Sequence, residues 1–323
     1  MINRRQLLAL ASAGPLLAGR AMAQTSPSQA IRLIVPYVPG GGTDTLARLI
    51  SPYIGDEFSQ SVIVDNRGGG GSTIGTLAVA RAQPDGQTIG LIDAAFVSNP
   101  ALYRRLPYDS VRDFTPICLV ATSPLVLCVH PGVEARSIKE LVELARRQPG
   151  KLTFGSAGVG GATHIAGEQL RIEARIDIVH VPYKGAGQQL TDLLGGQTTM
   201  GFFVPGVAKA HIDAGRLRAL GVTGSRSPLF PDIETLPEAG YPRVEASGMN
   251  GLVAPKGTPQ DYVQRLGGAI NRALATDALK RRLVDGGFVP AGGSPADFAA
   301  YLDNAMKRMA VTIQTAGIEP MTL

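Results

Sequence analysis

Apolar positions along this chain alternate between two spacings. Short aliphatic and β-branched runs at 31–35, 61–64 and 88–92 read as buried strands. Between them apolar residues recur three and four apart, the spacing of one helix face. The first such helix follows the loop Pro39-Gly40-Gly41-Gly42, takes Thr43 or Asp44 as its cap and runs through Leu46, Leu49 and Ile50. A second spans 72–82, ahead of the turn Pro84-Asp85-Gly86. From 117 to 129 the chain is almost continuously apolar apart from Ser123-Pro124, which marks a crossing into a second lobe.

The second lobe repeats the pattern. Ser137 and Glu140 form a capping box, opening a helix that stops at Pro149-Gly150. Strands at 152–155, 176–181, 199–204 and 217–222 alternate with helices at 162–170, 187–194 and 207–214. The apolar run 251–255 predicts a return to the first lobe, and helices at 262–274, 277–285 and 295–315 close the chain, the last with Ser294 as cap and Pro295 at its first position. Strand–helix alternation predicts an α/β protein with largely parallel sheets covered on both faces. The expected organisation is a first lobe of residues 24–123 and 250–323 and a second of 124–249, joined by two crossings that form a hinge. No short-period repeat appears.

The first 23 residues read as an export signal: Arg4-Arg5, an apolar stretch from Leu7 to Ala18, then Ala21-Met22-Ala23, with cleavage expected after Ala23. Asn3-Arg4-Arg5-Gln6-Leu7-Leu8 resembles the twin-arginine consensus, and the export route stays open. The apolar run is broken by Gly14-Pro15, short of the ~20 residues a membrane span needs. This leader holds Arg4, Arg5 and Arg20 and no acid, so the formal charge of +5 falls to +2 without it. That balance, the absence of Trp and the lack of a basic stripe argue against a nucleic-acid groove. Cys118 and Cys128 are the only cysteines, and pairing or two buried thiols are both compatible with the sequence.

Three strand-to-helix loops could hold an anion on free backbone N–H groups at a helix start: 39–44, 93–98 and 155–164. Enzyme motifs fit poorly. Gly155-Ser156-Ala157-Gly158 lacks the nucleophile-elbow spacing, and Gly158-Val159-Gly160-Gly161-Ala162-Thr163 fails the dinucleotide fingerprint at its last position. His164 and Glu168 stand one helical turn apart, but the sequence places no third metal ligand, so His164 is read as structural or ligand-orienting. No metal and no cofactor are expected.

Residues 34–44, 64–70, 84–86, 99–103, 106–109, 155–158, 180–185, 193–197 and 217–220 together resemble the Bug family of periplasmic solute receptors, the binding components of tripartite tricarboxylate transporters. The resemblance implies a type II periplasmic binding protein with two Rossmann-like lobes, a small carboxylate ligand, and a membrane partner with one large and one small subunit, with no catalysis by the receptor, which is expected to be a monomer. Carried over by position, it puts ligand contacts at Gly41, Gly42, Thr43, Asp44 and around Ala95 in the first lobe. In the second they fall at Ser156, Ala157, Gly158, Thr163, His164 and Tyr183. Asp44 also reads as a helix cap, and Tyr183-Lys184 also reads as a strand end with a solvated lysine. Many members carry an acid where this chain has Phe202-Phe203-Val204-Pro205, and Phe203 suits an apolar or aromatic ligand body, so a carboxylic acid without an α-amino group is expected, a dicarboxylate or an aromatic acid. The alternatives are a receptor serving a signalling partner and a periplasmic hydrolase using Ser156 and His164.

Overall fold

The described residues, 30–315 and 317–322 of this computed structural model, form two β-sheets with a cleft lined by residues from both lobes. The leader and its cleavage after Ala23 lie outside them. In chain order the elements are β1 (Ile31–Val35), α1 (Gly42–Phe58), β2 (Val62–Asn66), α2 (Thr73–Ala80), β3 (Thr88–Ile92), α3 (Ala94–Leu102) and β4 (Phe114–Ser123). The chain then crosses to β5 (Val126–Val129), α4 (Ile138–Arg147), β6 (Thr153–Ser156), α5 (Ala162–Glu173), β7 (Val179–Pro182), α6 (Ala186–Leu194), β8 (Met200–Phe203), α7 (Pro205–Asp213) and β9 (Arg218–Val222). It returns through β10 (Gly248–Pro255), α8 (Gln260–Ala275), α9 (Asp277–Asp285), β11 (Val289–Gly292) and α10 (Pro295–Thr315).

The six-stranded sheet has the order β11-β4-β10-β3-β1-β2 and the five-stranded sheet the order β7-β6-β8-β5-β9. Both are mixed, not largely parallel as the alternation predicted. β1 pairs in parallel with β2 and β3, and β6 with β7 and β8. β10 is antiparallel to β3 and β4, and β5 is antiparallel to β8 and β9. The reason is the hinge. Strands whose C-terminal ends meet at the cleft share one direction, whereas β5 and β10 enter their sheets from the cleft and must run away from it.

Burial follows the apolar pattern. β1 and β3 are covered on both faces, and Leu33, Val35, Ile89 and Leu91 join Leu46, Ile50 and Ile54 of α1 in the first core. The second core gathers Leu127, Val129, Leu141, Phe154, Leu170 and Phe202. The capping box forms with one change: the Glu140 amide donates to Ser137 Oγ (3.1 Å), while Glu140 Oε2 accepts from Arg136 N (2.8 Å). Cys118 and Cys128 are free and buried on strands of different sheets, and burial pushes the Cys118 thiol up to about 12. No helix among the described residues is long and apolar enough to cross a membrane.

The two lobes touch beside the cleft. Ser98 Oγ on α3 donates to Gly160 O across the cleft (2.6 Å), and Leu102, Ile165 and Ile313 form one buried cluster between the lobes. Gly160 has φ +79 and a Cβ there would stand 2.6 Å from Leu102 Cδ1, so this contact requires glycine.

Candidate functional site

In each sheet the chain steps outward from a central strand and then back to its other side, from β1 to β2 and then β3, and from β6 to β7 and then β8. Loops leaving the two strands at such a reversal diverge and open a crevice. Here the crevices of the two sheets face each other and merge into one cleft of about 630 Å³ between atoms, part of it open to solvent.

Two helices point their N-termini into this cleft from opposite lobes. α1 contributes its cap Gly41 and first two residues Gly42 and Thr43, and α5 contributes the matching trio Gly161, Ala162 and Thr163. Neither cap residue has a side chain, so neither N-terminus is closed by the protein. The two threonines also match. Thr43 Oγ1 accepts from Asn250 Nδ2 (3.2 Å) and Thr163 Oγ1 accepts from Ala157 N (3.0 Å), which leaves each hydroxyl proton to donate. Backbone N–H groups, two helix dipoles and two hydroxyl donors thus converge on one place, a combination that favours an anion.

The third predicted anion loop differs. Residues 93–98 are not a loop: α3 begins at Ala94, and Asp93 caps it by accepting from Ala95 N at Oδ1 (3.2 Å). Its other oxygen, Oδ2, accepts from Tyr37 Oη (2.6 Å). The protein therefore supplies its own carboxylate at this helix start. Burial pushes the Asp93 carboxyl up to about 6 against the pull of the Tyr37 hydrogen bond, and burial with the neighbouring Asp93 raises the Tyr37 phenol.

Of the residues singled out from sequence, Gly41, Gly42, Thr43, Ala157, Thr163 and Phe203 line the cleft. Gly158 and Tyr183 lie on an adjoining groove that shares Tyr37 and Ala157 with it, and Tyr183 Oη donates to Asp192 (2.7 Å). Asp44, Ala95, Ser156 and His164 stand behind the lining. Asp44 accepts from Gly40 N (3.0 Å), Arg48 and Asn66, and although burial opposes it these partners hold its carboxyl below the usual range. Ala95 is buried and its N–H is spent on Asp93. His164 Nδ1 accepts from Gly160 N (3.1 Å) and its ring stacks on His180 at 4.2 Å. Burial depresses His164 to about 3 and His180 to about 4, so both rings are neutral at ordinary pH. Ser156 is fully buried and its Oγ bonds His180 Nε2 (2.7 Å), not His164, so the serine–histidine pair imagined for a hydrolase is not the pair the fold makes. Among the described residues no cluster of three metal-ligating side chains forms.

A family model described as tripartite tricarboxylate transporter family receptor matches residues 46–318. The chain belongs to this family. It is similar to the protein BugT of Bordetella pertussis, 33% identical over 98% of this chain and 99% of BugT, in keeping with the resemblance to Bug receptors. Among solved structures it is similar to R. palustris Rpa4515 with adipate, at TM-score 0.88 and 32% identity over 92% of this chain and all of that one. It is also similar to MatC from Rhodopseudomonas palustris with bound malate, at TM-score 0.84 and 28% identity over 89% of this chain and 99% of that one.

Sequence reasoning about this family member missed Tyr37, Asp93, Ser123, Leu125, Gly161 and Asn250, all of which line the cleft. Tyr37, Asp93 and Gly161 lay inside segments already singled out, and their chemistry was the available signal. Ser123, Leu125 and Asn250 flank the crossings and carried none. The β8 end is apolar: Phe203, 1% exposed, stands with Leu125, Val204 and Val207 on the lining, whereas Phe202 points into the core of the second lobe.

Proposed function

We propose that this protein is a periplasmic receptor whose two lobes close on a small carboxylate and present it to a tripartite tricarboxylate-type transporter, without catalysing a reaction. The observation that carries this reading is the pair of uncapped helix N-termini, Gly41–Thr43 and Gly161–Thr163, turned into one cleft from opposite lobes. A carboxylate there accepts from N–H groups and threonine hydroxyls of both lobes at once, so ligand and closure stabilise each other. Adipate and malate in the two solved relatives belong to the same chemical class. The leader, cleaved after Ala23, delivers the chain to the periplasm, and the transporter partner has one large and one small subunit. Gly41, Gly42, Thr43, Ala157 and Thr163 make the carboxylate contacts, with Phe203 against the ligand body, while Asp44, Ser156 and His164 shape the loops behind them.

A thermal-shift screen with mono-, di- and hydroxycarboxylates tests the reading, since a ligand at 100 times its dissociation constant stabilises by about 2.7 kcal/mol. Thr43→Val and Thr163→Val should each weaken the best ligand by about 1.5–3 kcal/mol, the size of a hydrogen bond to a charged group. A panel in which amines or neutral sugars stabilise the protein and carboxylates do not would overturn it.

A further inference from the structure

The cleft that receives the carboxylate is unequal along its length, and the inequality bears on the remainder of the ligand. Among the described residues no Lys, Arg or His lines it. The one acid among the described residues that line it, Asp93, has one oxygen on Tyr37 and the other on Ala95 N. Beyond the helix N-termini the wall turns apolar, with Phe203, Leu125, Val204, Val207 and Met249. One polar atom is stranded there. Ser123 ends β4 at the first crossing, lines the cleft and is 1% exposed, and its Oγ has no hydrogen-bond partner. Ser123 pairs with Gly248 across the sheet, and a Cβ at 248 would stand 2.3 Å from that Oγ. The hydroxyl keeps its place because residue 248 has no side chain. A buried hydroxyl without a partner is costly, and a bound molecule that supplies one removes the cost.

We propose that this receptor selects acids with one carboxylate, an apolar body and an uncharged hydrogen-bonding substituent received by Ser123, and discriminates against dicarboxylates and amino acids. The proposal rests on the carboxylate reading above and goes beyond it in naming the rest of the ligand. A second carboxylate entering the apolar end meets no cation, and one serine hydroxyl cannot replace its hydration. An ammonium group meets no carboxylate oxygen that is uncommitted. An apolar body instead replaces water against Phe203 and its neighbours, and a hydroxyl or carbonyl on that body pairs Ser123.

Titration calorimetry with benzoate, cyclohexanecarboxylate, the three hydroxybenzoates, adipate, malate and glutamate tests this. The tightest ligand should be one of the monoacids, ahead of adipate, malate and glutamate by about tenfold or more, the scale of an uncompensated polar group. Ser123→Ala should cost the best hydroxybenzoate about tenfold while leaving benzoate nearly unchanged. Val207→Lys, which adds a cation at the apolar end, should narrow the gap between monoacids and adipate. Tightest binding by adipate, malate or glutamate overturns the proposal and leaves the carboxylate reading standing. An equal loss for benzoate and hydroxybenzoate in Ser123→Ala removes the serine from it. Failure of every acid to bind overturns the carboxylate reading itself.

Discussion

Helices α1 and α3 start from equivalent places, the C-terminal ends of two neighbouring parallel strands, and both reach the same cleft. They differ in the cap residue. α1 is capped by Gly41 and stays open, whereas α3 is capped by Asp93, whose carboxylate occupies the position an anionic ligand would take. A helix N-terminus is therefore open to an anion only where no side chain of the protein takes its amides: α1 does carry Asp44 in its first turn, but that carboxylate is committed to Gly40 N, Arg48 and Asn66. Across the cleft, α5 follows α1: its cap is Gly161, and the side chains that accept from the amides of the preceding loop, Ser156 at the end of β6 and Thr163 and His164 in the first turn of α5, are all neutral.

The sharpest way to break this comparison is to make α5 resemble α3. Gly161→Asp places a carboxylate at an extended cap position where a Cβ meets nothing closer than 3.4 Å. Carboxylate affinity should fall by about 100-fold or more, as two or more charge-assisted bonds are lost, while the melting temperature holds or rises through the new cap. Undiminished binding, read by calorimetry, would remove α5 from the site. Next in size is Asp93→Ala, which strips the α3 cap and leaves the buried Tyr37 hydroxyl unpaired. Urea unfolding should show a loss of about 1–3 kcal/mol.

The pH dependence sharpens the contrast further. Burial raises Asp93 to about 6, above its unfolded value, so between about pH 4 and pH 6 the folded state binds more protons than the unfolded chain. Its contribution is fully present below about pH 4 and is lost as pH rises through 6. Asp93→Asn keeps a capping oxygen without the charge, so wild-type stability relative to this variant should fall over that window by something on the order of 1–3 kcal/mol and then level off. A constant difference from pH 4 to 8 would contradict the burial argument. The smallest effect is expected at Asp44→Asn, which keeps an acceptor for Gly40 N and loses an ion pair to Arg48, a side chain 56% exposed. Stability should drop by less than about 1 kcal/mol, with ligand affinity nearly unchanged by calorimetry. A large affinity loss would make Asp44 a direct contact after all.

Most elements were legible in the sequence because their signals are local. The apolar runs of β1 and β3, the capping box at Ser137 and the Pro295 start of α10 depend on neighbours within a few residues. The glycine-rich loops at 39–44 and 155–164 marked candidate anion-binding helix starts for the same reason, although at the first the sequence points to Thr43 or Asp44 as cap where the cap is Gly41, and family membership followed from many short matches in order along the chain. Strand alternation lets only one of Phe202 and Phe203 face the cleft, and Phe203, the one expected against the ligand body, is the one on the lining.

Tertiary structure decided everything that depends on residues far apart in the chain. Only the fold places the first turns of α1 and α5 on opposite walls of one cleft, turns β5 and β10 against their neighbours, and binds Ser156 to His180 rather than His164. Asp93 and Tyr37 are separated by 56 positions, and Asn250 and Thr43 by 207. No local pattern encodes such pairs, because their energy comes from burial and hydrogen bonding that exist only once the chain has closed on itself.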